Sequence, residues 1–190
     1  LGAFERYQES EAWTWEHQAL VRARVLVGCP RVATAFETIR ARVLGREREL
    51  LALRQEVSEM RAKMRDNLGS KETSAGRAVN AFDAGQPFDL KQDAGGIVDI
   101  EFMVQYAALA WSHDHPQLLT YTDNIRILDG LREQRLLPAD DVAALQEAYK
   151  ALRSVAHRLA LQKQPGKVAG DQLVGERRTV MRIWQELGLA

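Results

Sequence analysis

Apolar residues recur along almost the whole chain in steps of three and four, the spacing that lines one face of an α-helix. Val32, Phe36, Ile39 and Val43 follow Pro30, a residue suited to a first helical turn, and predict a helix from that point. Leu50, Leu53, Val57, Met60 and Met64 make a heptad-like seam on a helix that should end at a Gly69 cap. Residues from about Phe4 to Val27 read as one helix or two, any break falling near Ser10. From Ile97 to about Ser112 the chain is apolar on nearly every side, which predicts the central buried helix.

The second half keeps the same period. Asp123 is placed to cap a helix through Ile127, Leu128 and Leu131. Pro138, Asp140 and Asp141 start a long helix with a seam of Val142, Leu145, Tyr149, Leu152, Ala156 and Leu159. A last helix spans about Leu173 to Leu187. The period fails at residues 70–87, at the connector His113 to Thr122 and at Gln164 to Asp171, so these are loops. A short extended piece is expected at Phe88 to Lys91. The pattern predicts an all-α bundle of six to eight helices with one long loop at about 70–87.

Composition narrows the class. The 190 residues suit one helical domain spanning 1–190, long enough to bury a core. Lys and Arg total 26, as do Asp and Glu, so the formal charge is zero; a partner such as nucleic acid or a membrane surface is not expected. No apolar run approaches the roughly 18 residues of a membrane span. Cys29 is the one cysteine, which rules out an internal disulfide and suits a reducing, cytoplasmic setting. The chain opens at Leu1 with helical pattern from the first residues, so we expect a piece of a longer protein.

The most informative stretch is FDLKQDAGGIVDIEFMVQY, Phe88 to Tyr106. Lys91 and the Gly95–Gly96 turn precede a helix start, where free backbone N–H groups and the positive end of the helix dipole can hold a phosphate. A tight turn explains the same residues. Asp99 and Glu101 invite a metal reading, but residues two apart on a helix point about 200° apart, so these carboxylates diverge. Asp99 is then a helix cap at N3 behind Gly96, and Glu101, which shares a stripe with Gln105, a buried ion-pair member.

Other candidates are weaker. In AWTWEHQALVRARV, Arg22 and Arg24 diverge on a helix, and Trp13 and Trp15 are expected in the core. Arg61, Lys63 and Arg65 read as a solvated face. His113 and His115 flank Asp114, but no Cys, His or acid cluster completes a metal set. His157 lies off its helix seam and reads as structural. No nucleophilic triad, phosphate loop or dinucleotide fingerprint occurs, so no catalytic residue is assigned to this chain.

The stretches Ala12 to Val25, Val57 to Arg65 (VSEMRAKMR), Phe88 to Tyr106, Thr122 to Leu128 (TDNIRIL) and His157 to Val168 (HRLALQKQPGKV) resemble, in one order, the bacterial glutamine synthetase adenylyltransferase family. Members pair nucleotidyltransferase domains with helical domains in two similar halves. One half moves AMP from ATP onto a tyrosine of glutamine synthetase; the other removes it by phosphorolysis. Trp15 to Gln18 and Asp99 to Glu101 resemble the helical domain that follows the second, adenylyl-transferring nucleotidyltransferase domain.

The resemblance implies that the catalytic carboxylates lie upstream, outside this chain, and that Mg and ATP act in the complete enzyme. It implies that Lys91, Gly95, Gly96 and Arg22 face the nucleotide, with Asp99 and Glu101 behind them holding basic residues. Implied partners are glutamine synthetase, the PII signal protein, glutamine as effector and the upstream domain of the same chain. The alternative is a regulatory module that senses glutamine or PII without touching the nucleotide.

Overall fold

The computed structural model describes residues 1–70 and 82–190; most of the loop expected at 70–87 lies outside the described residues. Eight α-helices and a two-stranded ribbon are present among them. The helices are α1 (Gly2–Ser10), α2 (Thr14–Val21), α3 (Pro30–Leu44), α4 (Leu50–Leu68), α5 (Ile97–Trp111), α6 (Asn124–Glu133), α7 (Ala139–Leu161) and α8 (Val174–Glu186). The fold is therefore mainly α, as the periodicity predicts. The ribbon pairs β1 (Pro87–Asp89) antiparallel with β2 (Lys167–Ala169), Phe88 opposite Val168. β2 falls where the pattern predicts only a loop, because three residues between glycines are too few to show a period.

By its internal contacts the chain groups into two compact units. One comprises Leu1–Val57 and Val104–Leu137, the other Ser58–Met103 and Pro138–Ala190. α4 and α5 contribute residues to both.

In the first unit, α3 packs with α1 and α2, and α6 packs on a short 3-10 turn at Pro116–Leu119. The break between α1 and α2 is held by Glu16, whose carboxylate accepts from the Trp13 N–H at 2.9 Å and the Tyr7 hydroxyl at 2.6 Å. These bonds hold Glu16 below, and Tyr7 above, its ordinary pKa. Two arginines satisfy helix ends. Buried Arg40 donates to the carbonyls of Leu20, Val21 and Leu119. Arg48 donates to Val43, Leu44 and Leu109, and burial lowers its pKa to about 10, still charged at neutral pH. Both place a cation where helix carbonyls otherwise lack partners.

Two expectations for this unit are corrected. Trp13 is 69% exposed and Trp15 46%, not core residues. Trp13 sits outside α2 as its N-cap, and the buried face of this eight-residue helix carries His17, Gln18, Leu20 and Val21 instead. His17 is fully buried. Its Nε2–H donates to the Gln8 carbonyl at 2.9 Å, which leaves Nδ1 to accept from Arg46 at 3.4 Å. Burial, chiefly, holds its pKa below the ordinary 6.5.

In the second unit, α7 packs along α8 and β1 pairs with β2. Val142, Leu145 and Leu152 of the α7 seam are buried, whereas Ala156 and Leu159 are half-buried. Arg177 of α8 is buried, donates to the Gly170 carbonyl and lies 3.7 Å from the centre of the Phe88 ring. Gly69 does end α4: a Cβ there would stand 2.6 Å from the Arg65 carbonyl oxygen. Asp123 caps α6 as expected, accepting from the Arg126 N–H at 3.1 Å.

Candidate functional site

The glycine pair is required by the backbone around it. Gly95 has φ +82°, and a Cβ there would lie 2.8 Å from the Arg177 carbonyl oxygen. A Cβ on Gly96 would meet the carbonyls of Asp93 and Leu90, each at 2.9 Å. The chain turns here so tightly that its N–H groups find partners at once. Gly95 N–H donates to Asp99 Oδ2 at 2.7 Å, Gly96 to Asp93 O at 3.0 Å, Ile97 to Leu90 O at 2.9 Å and Val98 to Lys91 O at 3.2 Å. The N–H groups of the turn thus already have partners within the chain, and Gly95 and Gly96 shape the turn.

Asp99 sits at the third position of α5, with Gly96 immediately before the helix. It does more than cap. Its Oδ1 accepts from Arg61 Nε at 2.6 Å and lies 3.5 Å from Arg65 Nη2. The side chains of Arg61 and Asp99 are 0% and 2% exposed. Arg61 also donates through Nη2 to the Gln92 carbonyl at 2.7 Å. Burial lowers the Arg61 pKa while Asp99 opposes the shift. The solvated face read for Arg61, Lys63 and Arg65 is therefore corrected at Arg61. The face of α4 that carries Val57 and Arg61, four apart, points inward at both.

Glu101 is half-buried and accepts from the Tyr149 hydroxyl at 3.4 Å. Lys91 is exposed. Its N–H is held by Asp89 Oδ1 at 2.9 Å, and the same oxygen accepts from Gln92 N at 2.9 Å. Lys91 and Glu101 line one groove of about 570 Å³ with Asp89, Gln92, Arg153 and His157, over an apolar floor of Leu90, Ile97 and Ala156. Asp89 is committed to backbone N–H groups, whereas among the described residues the Lys91 ammonium makes no ion pair. Arg153 lies 5.9 Å from the Tyr149 ring centre. The groove therefore presents Lys91, Arg153 and the exposed imidazole of His157 to solvent.

Sequence reasoning missed Arg153 and His157 as groove residues. Their spacing of four on α7 places them on one stripe, and that was the available signal. Arg22 belongs to the other unit, where its Nη1 donates to Asn124 Oδ1 at 3.0 Å. Among the described residues no three of His, Cys, Asp and Glu gather as a metal site. Asp99 spends both carboxylate oxygens, on Arg61 and on the Gly95 N–H, and Asp89 Oδ1 accepts from the Lys91 and Gln92 N–H groups.

Comparison with known proteins gives two family matches on different stretches. Residues 58–168 match the family model described as GlnD PII-uridylyltransferase, and residues 1–39 match that described as glutamate-ammonia ligase adenylyltransferase. Relatives similar over the whole chain carry the name bifunctional glutamine synthetase adenylyltransferase/adenylyl-removing enzyme. That of Pseudomonas putida is 70% identical over 190 residues, that of Pseudomonas syringae pv. tomato 71% over 190, and that of Hahella chejuensis 46% over 187. These alignments take in 100%, 100% and 98% of this chain but 19% of each relative. The chain thus spans about a fifth of the length of the relatives it matches.

Proposed function

Because the chain belongs to the glutamine synthetase adenylyltransferase family, its residues 58–168 matching also the PII-uridylyltransferase model, we propose that it forms one side of a nucleotide cleft in the complete enzyme. In that cleft AMP passes from ATP to a tyrosine of glutamine synthetase. The tyrosine oxygen bonds to the α-phosphorus as the bond to pyrophosphate breaks, and negative charge builds on the phosphate oxygens. A fixed cation beside them lowers the barrier. Lys91 is that cation. Its backbone is held on both sides, by Asp89 at its N–H and by Val98 at its carbonyl.

The observation that carries this reading is the groove of Lys91, Arg153 and His157, whose two acids are engaged within the chain, Asp89 with the Lys91 and Gln92 N–H groups and Glu101 with the Tyr149 hydroxyl. Magnesium, with the ATP triphosphate, belongs to the upstream nucleotidyltransferase domain and would supply Lewis-acid chemistry there. The enzyme would work in the cytoplasm, with PII and glutamine setting its rate.

The test is Lys91→Ala in the complete enzyme, assayed for AMP transfer to glutamine synthetase at saturating ATP and effectors. We expect a loss of about 10²-fold, the order seen when one charge-stabilising donor is removed from an active site. Transfer at the wild-type rate would remove the groove from the cleft. If, with that rate kept, the response to glutamine or PII also disappeared, the regulatory reading would stand in its place.

A further inference from the structure

We infer that Arg61 is a positioning residue for Lys91, an inference that rests on the reading of Lys91 just given. The guanidinium reaches from α4 to two points of the loop that carries the lysine. Nη2 holds the carbonyl of Gln92, the residue after Lys91, at 2.7 Å. Nε holds Asp99 at 2.6 Å, and Asp99 in turn holds the Gly95 N–H at 2.7 Å. One buried side chain therefore fixes both the residue next to Lys91 and the turn that starts α5.

A buried ion pair is a poor device for stability alone, since well-packed apolar residues of similar volume serve as well or better. Its distinct effect here is geometric. An apolar residue at position 61 would fill the space but leave the Gln92 carbonyl and Asp99 without their donor. The loop would then lose the contacts that select one backbone path at residues 91–96. A displacement of about 1 Å in a group that contacts the reacting phosphate is enough to cost up to about 10²-fold in rate.

The experiment is a double-mutant cycle in the complete enzyme, reading kcat/KM for ATP in AMP transfer. Arg61→Lys keeps the charge but cannot span both partners. We expect about a 10-fold loss for Arg61→Lys, about 10²-fold for Lys91→Ala, and no more than about 10²-fold for the pair, because Arg61 acts through Lys91. Mere loss of folded enzyme would multiply with Lys91→Ala instead, to about 10³-fold, and would overturn the inference. So would an Arg61→Lys enzyme with wild-type kinetics beside an impaired Lys91→Ala. An unimpaired Lys91→Ala would sink the cleft reading and this inference with it. Should Arg61→Lys fail to fold, Asp99→Asn enters the same cycle: it keeps an acceptor for Gly95 and removes the charge that holds Arg61.

Discussion

Replacing Asp99 by alanine should be among the most destabilising single changes in the chain. The substitution removes the acceptor for Arg61 Nε at 2.6 Å, for the Gly95 N–H at 2.7 Å, and the nearby charge for Arg65 at 3.5 Å. Arg61 Nη1 is already buried with no partner among the described residues, so the hydrogen bond to the Gln92 carbonyl would be left to hold a fully buried cation. Breaking a buried pair in this way costs about 3–5 kcal/mol, against a total stability of about 5–15 kcal/mol for a domain. At roughly 2–4 °C per kcal/mol for a chain of this size, the melting temperature should fall by about 6–20 °C. Thermal and urea unfolding followed by circular dichroism measure the loss, and hydrogen exchange over residues 88–103 locates it. The Arg61→Met, Asp99→Leu double variant removes both charges and should recover more than half of the loss. Arg182→Ala is the control, since its pairs with Asp141 and Glu186 lie at the surface and should be worth less than about 1 kcal/mol. An Asp99→Ala variant no less stable than this control would refute the description of the pair as structurally critical.

Other consequences are open to similar measurement. His17 has its folded pKa depressed below 6.5, so protons bind the unfolded chain more readily. Its contribution is complete above about pH 6.5 and is lost as pH falls toward the lower folded value, with a limiting slope of about 1.4 kcal/mol per pH unit. His17→Gln should flatten that part of the stability profile, and an unchanged profile would count against a buried neutral imidazole. Gly95→Ala meets both the positive φ and the Arg177 backbone, and should lose about 2–5 kcal/mol in denaturant unfolding. Gly175→Ala, where a Cβ meets nothing within 4 Å, should be neutral or gain up to about 1 kcal/mol. Equal effects at the two glycines would contradict the crowding described at Gly95.

The helices were legible because each carries its own period and punctuation. Pro30, Asp123 and Pro138 mark starts, and Gly69 marks an end, within a residue or two of where α3, α6, α7 and α4 begin or stop. β2 was not legible, since its three residues acquire meaning only from pairing with β1, nearly eighty positions away in sequence. The site shows the same division. Local geometry was enough to turn Asp99 from a metal ligand into a cap. It was not enough to find Arg61, because burial of an arginine depends on which face of α4 meets the loop, and the pattern of charges around it reads as solvent. The engaged N–H groups of Gly95 and Gly96 likewise depend on Asp93 and Asp99 folding back, which no spacing rule specifies.

Lys91, as proposed, faces the triphosphate. An acyl-phosphate ester of ATP transfers its acyl group to a lysine amine held beside the phosphates, which makes proximity directly readable by peptide mass spectrometry. In the complete enzyme we predict acylation of Lys91, suppressed by excess ATP and retained in a variant that alters only the effector response. Labelling confined to other lysines, with Lys91 unmodified or modified equally with and without ATP, would contradict the account.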